Sequence, residues 1–458
     1  MTILELNSGD TAWVLIAATL VFVMTPGLAL FYGGMVRAFS VLNMMMMSFS
    51  VMAIVAVLWV LYGYGLAFGE SIGGVIGNPA GLIGLGDVFA PDAQGQPVLY
   101  GDSLPAMAFV AFQAAFAIIT VALVSGSLAD RMKFGAWMVF VVLWASLVYF
   151  PAAHWVFSFD GWTAQTGGWI ANQVAAIDYA GGTAIHINAG TAGLIAAIIL
   201  GKRIGFGQRP MRPHNMTLVM LGAALLWFGW FGFNAGSGLA ADGAAGTVWV
   251  NTLAATGAAS LAWIVTERLR DGHYTSLGAA SGAVAGLVAI TPSCSSVSPL
   301  GAILIGLVAG CLCAMAVTLK FKFGYDDSLD VVGVHLVGGL IGTLMVGLLA
   351  TAQAPAGIDG LFYGGGLDQL WRQAVGAVAV MAYSAVVTAA ICFALKAVMT
   401  VRVSPAAELS GIDLEEHAEV GYDLSNVRYT SYPGISHAVV VPALAPTDAG
   451  TASGKESK

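Results

Sequence analysis

The chain has 458 residues, of which 58% are hydrophobic and 9% charged, with a formal charge of −8 at pH 7. Soluble domains hold about 25% charged residues, so this chain lacks the polar side chains to cover a water-facing surface. Its acidic balance also excludes the basic footprint that nucleic acid requires.

In chain order, eleven apolar runs are long enough to cross a hydrocarbon core about 30 Å thick. They fall near 11–36, 41–68, 104–126, 135–153, 180–201, 214–236, 247–266, 275–291, 299–320, 331–350 and 371–399. The opening MTILELNSGD is acidic, without the basic n-region of a signal peptide. The first run therefore reads as a retained span. Basic residues collect in alternate connections, from Arg37, Arg131 and Lys133 through Lys202, Arg203, Arg209 and Arg212 to Lys396 and Arg402. The other connections hold Glu70, Asp87, Asp92, Asp102, Asp160, Asp242 and Asp359, with Arg372 their sole base. By the positive-inside bias, the N-terminus is outside and the C-terminus inside. The expected fold is all-α and integral to the membrane, with a transmembrane domain over 1–402. The polar, acidic tail 403–458 is expected inside the cell, a short helix giving way to the low-complexity APTDAGTASGKESK.

Glycine is abundant, at 59 residues. Gly278, Gly282, Gly286, Gly306 and Gly310 are spaced for close helix approach, which in lipid proceeds by van der Waals packing of small residues. The cysteines Cys294, Cys311, Cys313 and Cys392 sit in or beside spans and suit neither a disulfide nor a metal site. No cofactor motif is present, and no nucleophile–base pair or metal set points to an enzyme.

Span five reads Asp178-YAGGTAI-His186-INAG, and span ten reads Asp330-VVGV-His335-LVGG. Each has an acid near its start, then His-x-x-x-Gly. A duplication of five spans would invert one half against the other and place function at the midplane between them. Chance in a glycine-rich chain gives the same match. An ionisable residue inside a span is expensive and functional by default, although a single neutral histidine bonded to a backbone carbonyl is as good an explanation. Two at matching positions favour function. A buried pair can share one hydrogen bond, and removal from water disfavours the imidazolium. Asp178, about 12 Å along the helix from His186 at 1.5 Å per residue, can cap free N–H groups, favour a cation at the outer mouth, or do both.

Aromatic residues form a second set: Phe112 and Phe116 in span three, then Trp227, Trp230 and Phe233 in span six, followed by Ser237. Most aromatic stripes are packing. A subset around a hydroxyl would suit a small cation, at about 0.5–2 kcal/mol per ring.

The runs PGLALFYGGMVR, AFQAAFAIIT, DYAGG with the following HINA, GWFGFNAGS, GLVAITPSC and GVHLVGG, in this order across 12–402, resemble the ammonium transporter (Amt/Mep/Rh) family, in its Amt branch. GIDLEEHAEVGY at 411–422 is similar to the family's cytoplasmic region. The resemblance implies a homotrimer of eleven-helix protomers with an inverted five-helix repeat, each protomer carrying its own ammonium or methylammonium path. It implies a phenyl gate of Phe116 and Phe233, and an outer ammonium site at Ser237 with Phe116 and Asp178. His186, His335 and Trp230 would line the pore, with Thr291 at its entrance. The family's outer-site tryptophan is replaced here by Phe157, and Trp155 or Trp162 is the alternative source of an indole. Nitrogen uptake is the implied role. Ammonium sensing through the tail, with a PII-type signalling partner, and a Rh-like neutral gas channel are the rival readings.

Overall fold

The computed structural model describes residues 6–91, 95–101 and 103–422. Asp92, Asp102 and the low-complexity end of the tail lie outside the described residues. One compact unit ends at Gly421 and holds every element named below.

Among the described residues, ten helices are long and apolar enough to cross a membrane: α1 Ser8–Met35, α2 Ala38–Phe68, α3 Ala106–Leu128, α4 Phe134–Phe157, α5 Gly182–Leu200, α6 Met216–Gly236, α7 Gly243–Asp271, α9 Pro299–Phe323, α10 Val332–Leu349 and α11 Asp368–Val398. Between α7 and α9 lies α8, Ser276–Ile290, a shorter apolar helix of 15 residues. The expected runs thus recur as helices within a few residues at most ends. Small antiparallel pairs, Ser71–Ile72 with Ile76–Gly77 and Leu99–Tyr100 with Leu104–Pro105, decorate the connections.

The helix contacts repeat with an offset of five. In one half α1 packs on α3, α2 on α3 and α4, and α3 on α5. In the other, α6 packs on α8, α7 on α8 and α9, and α8 on α10. The halves meet along α1 and α6, and α11 lies across α5 and α10. The glycine spacing accounts for part of this closeness. A Cβ at Gly306 or Gly310 of α9 would come 2.2 or 2.3 Å from the Ala255 or Ala259 carbonyl of α7, so only glycine permits this approach.

At the end of the bundle with the basic connections, buried ions tie the loops together. Arg131 donates to the Gly201 and Asp326 carbonyls at 2.8 and 2.6 Å. Arg203 grips the Asp326 carboxylate through Nε at 2.9 Å and Nη2 at 2.8 Å. Residues after α11 add two short helices, α12 Pro405–Ser410 and α13 Asp413–His417. The Asp413 carboxylate accepts the N–H groups of Leu42 and Asn43 at 3.0 and 2.8 Å, and Glu416 accepts that of Phe134 at 3.0 Å.

Candidate functional site

Helices α5 and α10 begin alike. Each opens with a wide π-helical turn, Gly182–Ile187 and Val332–Leu336, and each turn carries one of the two intramembrane histidines. Such turns are uncommon and concentrate at functional positions. The Asp178 carboxylate caps the first of them, accepting N–H groups from Gly181 (2.9 Å), Gly182 (2.6 Å), Thr183 (2.8 Å) and Ala184 (3.1 Å). Gly181, at φ 120°, adopts the left-handed backbone that lets the chain turn over this carboxylate.

The second turn corrects the sequence alignment of the two acids. Asp327, not Asp330, stands eight residues before its histidine, as Asp178 does, and its Oδ2 accepts the Val332 N–H at 2.7 Å. Asp330 instead pairs with Lys320 at 2.6 Å. With the two His-x-x-x-Gly runs in register, Asp327 is the counterpart of Asp178, while Asp330, the acid expected near the helix start, falls three residues further on.

The two turns face each other. His186 Nδ1 and His335 Nδ1 are 3.2 Å apart, so one ring donates and the other accepts, and the ring planes lie 22° from parallel. His186 Nε2 is buried and has no hydrogen-bond partner among the described residues. Gly190 allows the approach, since a Cβ there would lie 2.4 Å from the Leu336 nitrogen.

Trp230 continues the column, its ring 5.4 Å from His186 and 19° from parallel. Phe233 follows at 5.4 Å from Trp230 and stacks face to face on Phe116 at 4.2 Å and 7°. Phe112 adds a tilted ring 4.7 Å from Phe116. Trp227, also expected in this aromatic set, is only partly buried, and its indole N–H has no partner among the described residues.

Two cavities flank the phenyl stack. The wide one, about 800 Å³, is lined by Phe112, Phe116, Phe157, Trp162, Asp178 and Ser237 among others. The narrow one has room for about 10 Å³, at the lower limit for holding a single water, and is lined by His186, His335, Trp230, Phe233 and aliphatic side chains including Leu28, Ile119 and Val284. Phe116 borders the wide cavity and Phe233 the narrow one, so the stacked pair stands between them.

Ser237 donates to the Phe233 carbonyl at 2.8 Å, which leaves its lone pairs available to an incoming donor. Of the two candidate indoles, Trp162 borders the wide cavity, whereas Trp155 is committed to the Val75 carbonyl at 2.7 Å. Thr291 is placed differently from the expected entrance. It is fully buried behind Trp230, accepting the indole N–H at 2.8 Å and donating to the Leu287 carbonyl at 2.7 Å. The side chain beyond it, Asn234, went unremarked in the sequence; it is buried and bonds Thr252 at 3.0 Å. Gln113 and Tyr179 were also missed. Both border the wide cavity, and Gln113 Oε1 and the Tyr179 hydroxyl are buried without a partner among the described residues. Their positions beside Phe112 and Asp178 were the available signal.

Together these features define a multi-pass α-helical membrane protein with an internal column of aromatic and imidazole rings between a wide and a narrow cavity. Residues 12–422 match the sequence profile of the Ammonium Transporter Family, and the chain belongs to that family. It is 61% identical over 435 residues to an ammonium transporter of Mycobacterium tuberculosis, covering 92% of this chain and 91% of the relative. The Bacillus subtilis ammonium transporter is 46% identical over 421 residues, with 91% and 99% of the two chains covered. Among solved structures, Saccharomyces cerevisiae Mep2 superposes with a TM-score of 0.77 at 33% identity, over 87% of this chain and 91% of that one. A protein described as a sensor Amt protein superposes at 0.81 with 28% identity, over 89% and 98%.

Proposed function

We propose that this protein carries ammonium or methylammonium across the cell membrane as the uncharged amine. The supporting observation is the order of the parts: a wide cavity with free polar atoms, a stacked phenyl pair, then a cavity of about 10 Å³ bordered by a hydrogen-bonded histidine pair. In this reading the cation is recruited in the wide cavity. Ser237 accepts one of its N–H bonds, while Phe116 and Phe157 offer π faces. A fully paired Asp178 contributes its field from behind. Beyond the stack a bare cation would face an effective penalty of several kcal/mol, whereas ammonia would not. The proton is therefore left on the outer side, and ammonia passes along Trp230 and the histidines, which exchange hydrogen bonds with it.

The wider architecture belongs to the same proposal: eleven spans including the short α8, N-terminus outside, C-terminus inside, inverted five-helix halves and a homotrimer. The five-helix offset in the packing pattern supports the repeat. A membrane domain over 1–402 and a cytoplasmic tail from 403 complete it. A second reading, ammonium sensing with a PII-type partner, draws on α12 and α13, whose acids bond the starts of α2 and α4 and the connection before α6.

The test is labelled methylammonium uptake with simultaneous current in proteoliposomes, on wild type and on His186→Ala and His335→Ala singly. The proposal expects changed flux or cation exclusion in both variants. Unaltered uptake and unaltered selectivity in both would remove the histidine pair from the path.

A further inference from the structure

At the end of the bundle with the basic connections lies a separate cavity of about 530 Å³. It is enclosed by Arg37 after α1, the connection between α5 and α6, and Glu408 and Leu409 of α12. Four arginines border it, Arg37, Arg203, Arg209 and Arg212, together with Asp130 and Glu408. Four positive charges against two negative leave a formal +2.

Both acids are already engaged. Glu408 Oε1 accepts the Ile204 N–H at 2.6 Å, and its Oε2 accepts Arg402 at 2.7 Å. Asp130 lies 3.4 Å from Arg203 and 3.7 Å from Arg37. Arg203 is in turn spent on Asp326. Arg37 gives one N–H to the Leu409 carbonyl at 3.5 Å and retains other donors. Among the described residues, the side chains of Arg209 and Arg212 have no hydrogen-bond or ion-pair partner. The excess charge thus sits on Arg37, which is only partly engaged, and on Arg209 and Arg212, whose side-chain donors are unpaired among the described residues.

Their connection is held in shape. Phe206 N–H bonds the Arg203 carbonyl, and the N–H groups of Gln208 and Arg209 both bond the Gly205 carbonyl, each at 3.0 Å. Pro210 and Pro213 flank Met211 and Arg212 and restrict the backbone on either side. A backbone already held in one shape loses less entropy when its side chains bind a ligand. A basic loop explained by topology alone would spread its charges along a rim; here they border one concavity.

We propose that this cavity binds the phosphate group of a small phosphorylated molecule, seated by Arg37, Arg209 and Arg212. A phosphate monoester carries about −1.5 to −2 charges at neutral pH, matching the excess, and the guanidinium fork fits its oxygens bidentately. The cavity is larger than a bare phosphate needs and lies within the range of about 300–1,000 Å³ for small-molecule sites. A neighbouring cavity of about 370 Å³ shares Arg209 and is bordered by Phe206, stacked with Phe321 at 5.5 Å, so a planar group attached to the phosphate has a surface to rest on. Two sources share this chemistry, a soluble nucleotide and a phospholipid headgroup. The site stands independently of the transport reading.

The full-length protein in uncharged detergent, at near-physiological salt, is titrated calorimetrically with inorganic phosphate, pyrophosphate and a nucleoside diphosphate. Saturable binding is expected to strengthen from one phosphate to two. It should weaken about tenfold or more in Arg209→Ala/Arg212→Ala, and less in the double lysine variant, which keeps charge but not the fork. Because these two side chains are exposed and unpaired among the described residues, the melting temperature should not move. Repetition in nanodiscs separates the sources. Binding that persists beside anionic phosphatidylglycerol identifies a soluble ligand; loss there, but not beside phosphatidylcholine, identifies the headgroup. Both support phosphate recognition. Absence of saturable binding to every probe together with no preference for anionic lipid overturns it, as does equal affinity in the alanine variant.

Discussion

Thr291→Val replaces a buried hydroxyl by a methyl of nearly the same shape. The hydroxyl accepts the Trp230 indole N–H at 2.8 Å and is itself satisfied at Leu287. Trp230 is 2% exposed, so water does not take over its N–H after the substitution. An orphaned buried donor costs about 1–3 kcal/mol. The neighbouring Asn234 Oδ1 loses a longer contact of 3.2 Å and adds little. A loss of about 1.4 kcal/mol lowers the ratio of anchored to released indole about tenfold, and the released ring borders the narrow cavity beside His186. Both a lower denaturation midpoint in detergent and reduced methylammonium uptake per folded protein are therefore expected. Thr291→Ser keeps the hydroxyl and should stay close to wild type on both measures. If the valine variant matches the serine variant in midpoint and in uptake, the indole is not anchored by this bond and the reasoning fails.

Gly190→Ala places a Cβ 2.4 Å from the Leu336 nitrogen and must push α5 from α10. Overpacking of this kind costs about 1–3 kcal/mol, and impaired uptake should accompany the lower midpoint. Asp178→Ala leaves four N–H groups of one turn without their acceptor; a loss of at least about 3–5 kcal/mol should appear as an aggregated size-exclusion profile, with Asp178→Asn intermediate. Asp326 governs acid sensitivity. Burial pushes its carboxyl up, but hydrogen bonds and charge from Arg203, with Arg131 behind, outweigh this and hold it below the usual range. A folded-state value below the unfolded one of about 3.9 gives stability that is complete above that pH and is lost as pH falls through the folded value. Arg203→Ala should move the acid limb of a denaturation-midpoint profile to higher pH; an unmoved limb would show that this pair does not set it.

Residue by residue, the divide between what was legible and what was not follows the range of the interactions. His186 and His335 stood out because an imidazole within an apolar run contradicts its surroundings. Their meeting at 3.2 Å depends on contacts 149 residues apart and on Gly190. Phe116, Phe233 and Ser237 were recognisable from helical spacing and family motifs. Thr291 was expected at an entrance and is instead a buried support for Trp230. Asp330 is the acid the sequence reading noted beside the second turn, whereas the carboxylate that accepts the Val332 N–H belongs to Asp327. Trp162 was distinguishable from Trp155 only once the connection after α4 was folded against the wide cavity.

The sequence by itself determined that the chain is helical and membrane-embedded, and roughly where each helix runs. Lipid offers the backbone no hydrogen bonds, so every long apolar run must satisfy its own as a helix. Tertiary structure alone decided which rings stack, which acid caps which turn and which arginines border the cavity beside α12. Those outcomes depend on ångström-scale approaches between segments far apart in the chain, where one missing Cβ or one wide turn moves a side chain from lipid to interior.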